Sequence, residues 1–367
     1  MFMSLQCGII GITNVGKTTI FNCVSDNKVE TNAYAFSATR SNIGSIKVPD
    51  YRLEGLEKLQ PTEKVIPTSV EFVDIPGLAR GSSRGEGVGN KFLGDIRNTD
   101  ALIHVLRCFE DDSLPHIDGS VDPLRDLGNI DFELQVKDIE SVQKKIDRLE
   151  KIAKSGDADA KKGIEVLKRL YDHIEGLHNA RDFEIRPGEN KYIDDMFLLT
   201  IKPVIYVCNV DDRSAVNGNI FVEKVKEQLS GSNAEILVIA GALEAEISEL
   251  DNNEDRLEFL NDIGLSEPGV NKLVRSAYKM LNLQTFFTMG PKEIRAWTIK
   301  KGMTAPQAAG VIHSDMERGF IRAEVMKYDD LVSLGSEQAC KEAGKFCVEG
   351  KNYIVNDGDI LYIRFNV

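Results

Sequence analysis

No apolar run in this sequence approaches the roughly 18 residues that a membrane-spanning helix needs, so a protein built on transmembrane helices is excluded. The opening MFMSLQCGII has no basic segment ahead of its apolar residues and runs straight into a strand-like stretch, so no signal peptide is read and a cytoplasmic protein is expected. The 6 cysteines include no CxxC pair and lie far apart or inside apolar runs, which argues against a zinc site or a disulfide framework and for reduced, mostly buried thiols. Positive charge is also scarce: 45 Lys plus Arg against 58 Asp plus Glu leave a net charge of −13. Whole-surface binding of nucleic acid is therefore disfavoured, and no DNA partner is expected. Neither an internal repeat nor a low-complexity tract is present. What remains is a globular chain of 367 residues, long enough for two or three domains.

Short apolar runs punctuated by glycine read as buried strands at 5–11, 69–74, 101–106, 202–210 and 235–240. Alternating with helical stretches, they predict an α/β nucleotide-binding sheet. The more polar NIGSIKV at 42–48 is expected nearer an edge. From Asp131 to about His178 the apolar residues recur at helical spacing. Leu134, Ile139, Val142, Ile146, Leu149 and Ile152 mark one helix, and Ile164, Leu167, Leu170 and Ile174 a second after KSGDADAKKG. This is a helical hairpin inserted between strands; the pattern leaves open whether it projects or packs flat. Beyond Leu283 the character changes again: KEIRAWTIKKG predicts a strand, a helix starts near Pro306, and FIRAEVMKYDDLVSLGS and CKEAGKFCVEGKNYIVNDGDILYIRFNV predict strands around turns at Glu349-Gly350 and Asp357-Gly358. A compact α+β module follows from that order.

The strongest chemical signal is GITNVGKT at 11–18, a GxxxxGK[ST] loop directly after an apolar strand and before a helix. In such a loop the backbone N–H groups from Asn14, Val15, Gly16, Lys17, Thr18 and Thr19 cradle phosphates. Lys17 neutralises the β and γ oxygens, and Thr18 ligates Mg²⁺. The second piece, Asp74-Ile-Pro-Gly77-Leu78, ends an apolar strand 57 residues after Lys17. Asp74 can meet the metal, and Gly77 can offer its N–H to a γ-phosphate as a switch. Leu78 stands where a Ras-like protein has its water-orienting glutamine, and an aliphatic side chain cannot hydrogen-bond water, so intrinsic turnover is expected to be slow. The glycine-rich ARGSSRGEGVGNKFL that follows reads as a loop that orders around a γ-phosphate, or as an ordinary surface loop. Asn209-Val210-Asp211-Asp212 occupies the place of the guanine-reading NKxD: Asp212 is at the right spacing, but Val210 replaces the lysine, and Ala242 stands where a later SAK motif carries another. His104, inside the apolar IHVL, is expected to be a core histidine held by a hydrogen bond.

At this point the chain resembles the YchF or Obg-like ATPases, within the translation-factor-related P-loop proteins. The resemblance runs through NVGKTT, EFVDIPGL, GEGVGNKFLGDIRNTDALIHVLRCFE, VCNVDD, LNLQTFFTMGPKEIRAWTIKKGMTAPQAAGVIH, GFIRAEV and DGDILYIRFNV. It implies a P-loop G domain at 1–130 and 196–282, an inserted antiparallel helical (coiled-coil) domain at 131–195, and a C-terminal TGS domain of β-grasp type at 283–367. It also implies hydrolysis of nucleoside triphosphates, commonly ATP in preference to GTP, and association with ribosomes or a ribosomal subunit. Three positions depart from the pattern. The base-reading segment is usually NxxE, whereas Asp212 is here. The switch threonine after a Phe-Cys pair falls on Ala38, with Thr39 one residue late, so either Thr39 reaches Mg²⁺ or water takes its place. Thr13 stands where proline is common. His116, in EDDSLPHIDGS, is by resemblance the group that orients or deprotonates the attacking water, although a lone loop histidine is more often a surface residue. In related NVGK proteins the residue matching Asn14 supports K⁺ beside the phosphates, so K⁺ joins Mg²⁺ as an expected cofactor.

Two functions are consistent with these residues: a slow NTPase that acts as a nucleotide-dependent ribosome switch, and a nucleotide-sensing module with little hydrolysis. For contact with RNA, Lys292, Arg295, Lys300, Lys301, Arg318, Arg322 and Lys327 gather near Trp297, where a solvated charged face is the competing reading.

Overall fold

The computed structural model describes residues 5–25, 29, 40–77, 88–250 and 252–366. In chain order its first elements are β1 (Gln6–Ile10), α1 (Lys17–Val24), β2 (Asn42–Lys47), α2 (Tyr51–Leu59), β3 (Val65–Ile66), β4 (Ser69–Asp74), α3 (Val88–Asn98), β5 (Ala101–Arg107), α4 (Pro123–Ala153) and α5 (Ala158–Glu175). After short 3₁₀ turns come β6 (Val204–Asn209), α6 (Ile220–Leu229), β7 (Glu235–Ile239), α7 (Gly241–Glu249), α8 (Asn253–Asp262) and α9 (Gly269–Met280). The chain closes with β8 (Leu283–Met289), β9 (Ile294–Lys300), α10 (Ala305–Ile312), α11 (Ser314–Arg318), β10 (Phe320–Lys327), α12 (Tyr328–Leu334), α13 (Glu337–Glu342), β11 (Cys347–Glu349) and β12 (Asp359–Phe365). No described helix is long and apolar enough to cross a membrane.

One compact unit comprises Leu5–Gly44 and Glu71–Lys272. Its sheet has the order β2-β4-β1-β5-β6-β7, with β2 at the edge as its polar sequence predicts. The strands from β4 to β7 are parallel, in a register that sets Ile9 beside Asp74, Ile10 beside His104, and Arg107 beside Asn209. Parallel strands buried on both faces need near-continuous apolar sequence, and β5 is buried at every position. The register also brings the carboxyl ends of β1, β4, β5, β6 and β7 to one edge, where open α/β sheets bind ligands.

His104 lies in the core as expected, its ring centroid 5.7 Å from that of Tyr206. Its Nε2, however, has no hydrogen-bond partner among the described residues. Burial, aided by Arg181 and Lys17, pushes its pKa down to about 3, so the ring stays neutral in the interior.

The inserted hairpin is present, but its first helix starts earlier than the apolar periodicity indicates. Asp122 caps the amides of Leu124 and Arg125, and Pro123 occupies the first turn, so the start is dictated by a cap-plus-proline signal eight residues ahead of the expected Asp131. Leu127 of α4 joins the sheet's core with Leu106, Cys108 and Tyr206. Farther along, Val142 and Ile146 of α4 pack on Val166, Leu167, Leu170 and Ile174 of α5 in a separate core.

The other unit draws on Ser45–Val70 as well as the chain from Leu273 onward. Its sheet runs β11-β10-β12-β8-β9-β3, so a strand from the first hundred residues pairs in parallel with β9. Leu53 and Leu56 of α2 fill one core with Phe287, Met326 and Ile360. Arg52 reinforces that packing, donating to Asp357 at 2.6 Å and lying over the Phe287 ring. The opposite face is covered by α10, which starts at a Thr304/Gln307 capping box with Pro306 in its first turn. Two segments expected as strand are helical. Tyr328 and Leu331 bury at i, i+3 in α12, which ends at the left-handed Gly335, and Ser336 caps α13. Of the cysteines, Cys7, Cys108, Cys208 and Cys340 are buried and none is disulfide-bonded.

Candidate functional site

The 11–16 loop leaves β1 at Ile10 and enters α1 at Lys17. Gly16 caps the helix in the left-handed conformation at φ 93° and has no side chain to cap the first amides, so among the described residues the positive end of the helix is open to an anion. Only glycine fits there, since a Cβ would lie 2.2 Å from Asn209 Nδ2. That proximity has a purpose. Asn209, buried at the end of β6, donates from Nδ2 to Val15 O at 2.8 Å and accepts from Gly241 N at 2.9 Å. One side chain thereby ties the phosphate loop to the β7–α7 turn.

Lys17 is buried and donates to Ile12 O at 2.6 Å. Burial lowers its pKa to about 8, against the opposing charge of Asp74. Thr18 Oγ1 donates to Asp74 Oδ2 at 2.8 Å. Asp74 Oδ1 is buried with no close hydrogen-bond partner among the described residues, and burial raises the carboxyl above its usual range while Lys17, Thr18 and Asn42 pull it down. A hydroxyl and a carboxylate, both hard oxygen donors, with one carboxylate oxygen uncommitted, fit a small divalent cation such as Mg²⁺. Gly77 lies against the loop, and a Cβ there would sit 2.7 Å from Thr13 Cγ2 and 2.9 Å from the Thr13 backbone nitrogen. The small residue thus lets the segment after Asp74 approach the loop closely.

A third element comes from the loop after β5. Asn14 donates from Nδ2 to Pro115 O at 3.1 Å, joining the phosphate loop to the residue before His116. The His116 side chain is only 4% exposed. Its Nδ1 accepts from Asp118 N at 3.1 Å, and its Nε2 lies 3.0 Å from Asp126 Oδ2. A backbone N–H can only donate, so Nδ1 carries no proton and Nε2 donates to Asp126. Burial raises the pKa of Asp126, while His116 and Arg125 act against the rise. The ligand atoms of His116, Asp118 and Asp126 lie within 4.8 Å of one another, as a metal site requires. The Arg125 guanidinium, however, stands 3.5 Å from Asp118, 3.4 Å from Asp126 and 3.5 Å from His116 Nδ1, and already supplies the compensating positive charge.

The residues marked in the sequence therefore divide. Lys17, Thr18 and Asp74 meet; Asn14, Gly77 and His116 border the same loop. Asn209 acts through the backbone of Val15, while Val210 is buried in the sheet's core with Leu106 and Val222. Asp212 is exposed just beyond β6, in a short turn that Asp211 caps by accepting from Ser214 N. Leu78, Thr39 and Ala38 fall outside the described residues, as does most of the glycine-rich segment.

Two contributors escaped the motif reading. Arg107 is fully buried at the end of β5 and donates to the carbonyls of Phe109, Asp111 and Leu114, shaping the turn that carries His116. The signal was a charged residue closing a strand buried throughout. Asp126 was legible only as part of a helix start.

Removing the Asn209 amide leaves Val15 O and Gly241 N buried and unpaired. Asn209→Ala is expected to cost about 2 kcal/mol of unfolding free energy and to weaken nucleotide binding at least roughly tenfold, read by urea denaturation and by nucleotide titration.

Comparison with known proteins agrees with this arrangement. A family model described as "50S ribosome-binding GTPase" matches residues 6–155, and the model of the YchF GTPase C-terminal region, described as "Protein of unknown function (DUF933)", matches residues 283–366. The chain is 46% identical to the "Ribosome-binding ATPase YchF" of Haemophilus ducreyi over 365 residues and 45% identical to that of Bacillus subtilis over 367, with the whole of each chain covered. The solved structure of the Schizosaccharomyces pombe YchF GTPase superposes with a TM-score of 0.86 at 33% identity, covering 98% of both chains. With a phosphate loop, a facing carboxylate and full-length relatedness in agreement, the chain belongs to the YchF family of P-loop nucleoside triphosphatases.

Proposed function

We propose that this chain hydrolyses ATP in preference to GTP, slowly and with Mg²⁺, and that the state of its nucleotide governs its association with ribosomes. The observation that carries the hydrolytic reading is the Thr18–Asp74 contact at 2.8 Å beside the buried Lys17. Thr18 and Asp74 would hold Mg²⁺, which when bound neutralises charge on the β- and γ-phosphates. Amides of Asn14 to Thr19 bind the phosphates, and Lys17 places its charge on the same oxygens. Gly77 serves as the γ-phosphate switch and Thr39 as the candidate switch threonine. His116 handles the attacking water, because Leu78 cannot. Asn14 is the candidate support for K⁺ beside the phosphates.

Preference for ATP is supported by the apolar Val210 and Ala242, which stand where guanine-reading sites carry lysines, and by the printed ATPase names of the bacterial relatives. Asp212 is the residue that keeps GTP in view. One observation favours the second reading, a nucleotide sensor with little hydrolysis: both ring nitrogens of His116 are engaged by Asp118 and Asp126.

Nucleotide-free protein in Mg²⁺ and K⁺ is expected to bind ATP several-fold more tightly than GTP, and single-turnover hydrolysis is expected to run faster in K⁺ than in Na⁺. A preference for GTP would assign base reading to Asp212. An intact triphosphate, with and without ribosomes, would favour the sensor.

The ribosome reading, supported by the names of the relatives, needs a basic surface on an acidic protein. Arg318 pairs with Asp315, Arg322 with Glu324, and Lys327 with Asp359. By contrast, Lys292, Lys300 and Lys301 are exposed with no ion pair among the described residues, and Arg295 stacks 4.0 Å over Trp297. These four are the proposed RNA-facing cations. Charge reversal at both Lys300 and Lys301 is expected to reduce ribosome co-sedimentation and flatten its salt dependence, whereas unchanged binding would discard the patch.

A further inference from the structure

We infer that Asp126 is the positioning residue of the water-activating group, holding His116 as the Nε2–H tautomer so that Nδ1 is the atom that receives the proton of water. The inference deepens the proposed hydrolytic role of His116 and rests on it.

Three observations lead there. Asp126 is buried in the first turn of α4, with a side chain 2% exposed, and His116 Nε2 faces it at 3.0 Å. A buried carboxylate on one ring nitrogen fixes both tautomer and ring orientation, and it compensates the positive charge that appears when the other nitrogen is protonated. The Nδ1 side is held differently. Its partners are the backbone N–H of Asp118, a residue exposed in the loop, and, at the longer distance of 3.5 Å, the Arg125 guanidinium. A water that takes the place of the Asp118 amide and draws the Arg125 guanidinium off Nδ1 opens that atom while the Nε2–Asp126 hydrogen bond stays in place. Finally, Pro115 O takes the Asn14 amide, so the residue before His116 is already fastened to the phosphate loop.

In the reacting state one O–H bond of the attacking water breaks, and its proton passes to Nδ1 while the oxygen bonds to the γ-phosphorus. The bond from that phosphorus to the β,γ-bridging oxygen breaks, and its electron pair leaves with ADP. The imidazolium, paired with Asp126, then returns the proton to phosphate or solvent. Asp126 itself stays ionised throughout. Arg125, 3.4 Å from its Oδ1, helps to keep it so.

The test joins spectroscopy of the unmodified protein to a double-mutant cycle. Two-dimensional ¹⁵N NMR of the His116 ring in the full chain is expected to show the Nε2–H tautomer, and this readout needs no variant to fold. Asp126→Asn is expected to slow single-turnover ATP hydrolysis by roughly tenfold or more with nucleotide affinity unchanged. Asp126→Glu should recover part of the rate, and Asp126→Asn should add nothing in a His116→Ala background. An Nδ1–H tautomer in the unmodified protein overturns the inference. So does Asp126→Asn at the unmodified rate while His116→Ala is slow, or an undiminished effect of Asp126→Asn without the histidine. If His116→Ala alone hydrolyses at the unmodified rate, the water-activating role of His116 fails first, and the inference falls with it.

Discussion

The hydrogen bond from Thr18 to Asp74 is the contact on which the nucleotide site depends. Parallel pairing of β1 with β4 places Asp74 beside Ile9, so the carboxylate arrives at the mouth of the loop by strand register. Thr18 then commits one of its oxygens, and the other is buried with no close hydrogen-bond partner among the described residues, the Asn42 side chain also acting on the carboxylate. A buried carboxylate oxygen of this kind is a ready ligand for a cation. Lys17 repeats the theme, since burial takes its pKa down to about 8 and a bound phosphate would restore a partner for its charge. Asn209 fixes the loop from behind through Val15 and Gly241.

The candidate site in this architecture is divided among four strand ends. The β1 and β4 ends bring Lys17, Thr18 and Asp74 together, the proposed phosphate and metal ligands; the β6 end anchors the loop through Asn209; and the loop after β5 carries His116, the proposed water-handling group. The last is the most elaborately built. Arg107 gathers three carbonyls to form the turn, Asn14 fastens Pro115, and Asp126 and Asp118 fix the ring. The proposed water-handling histidine is thus surrounded by fixed polar partners.

How much of this was legible follows from the range over which each signal acts. The phosphate loop, Asp74 and Gly77 were found because residue type, spacing and strand context are all local. The role of Asn209 could not be read, because its partners Val15 and Gly241 meet it only once the sheet is assembled. The Val210 side chain lies in the core of the sheet, a placement that residue type and spacing alone do not reveal. Asp126 was hidden in a helix-start signal, and that signal itself was overlooked in favour of the apolar repeat from Leu134. In the C-terminal sheet, β9 was evident from KEIRAWTIKKG, yet its neighbour β3 lies more than two hundred residues earlier in sequence, a pairing that no local pattern encodes. The short helices α12 and α13 were missed for the opposite reason: one or two turns provide too little periodicity to compete with flanking strands.

Asp74 is the carboxylate proposed to meet the metal. Titration of nucleotide-free protein with ATP, in Mg²⁺ and in excess EDTA, tests this for the unmodified chain and for Asp74→Asn. The unmodified protein is predicted to lose roughly tenfold or more in affinity when Mg²⁺ is removed, and Asp74→Asn to show little response. The same Mg²⁺ dependence in both proteins would contradict the account.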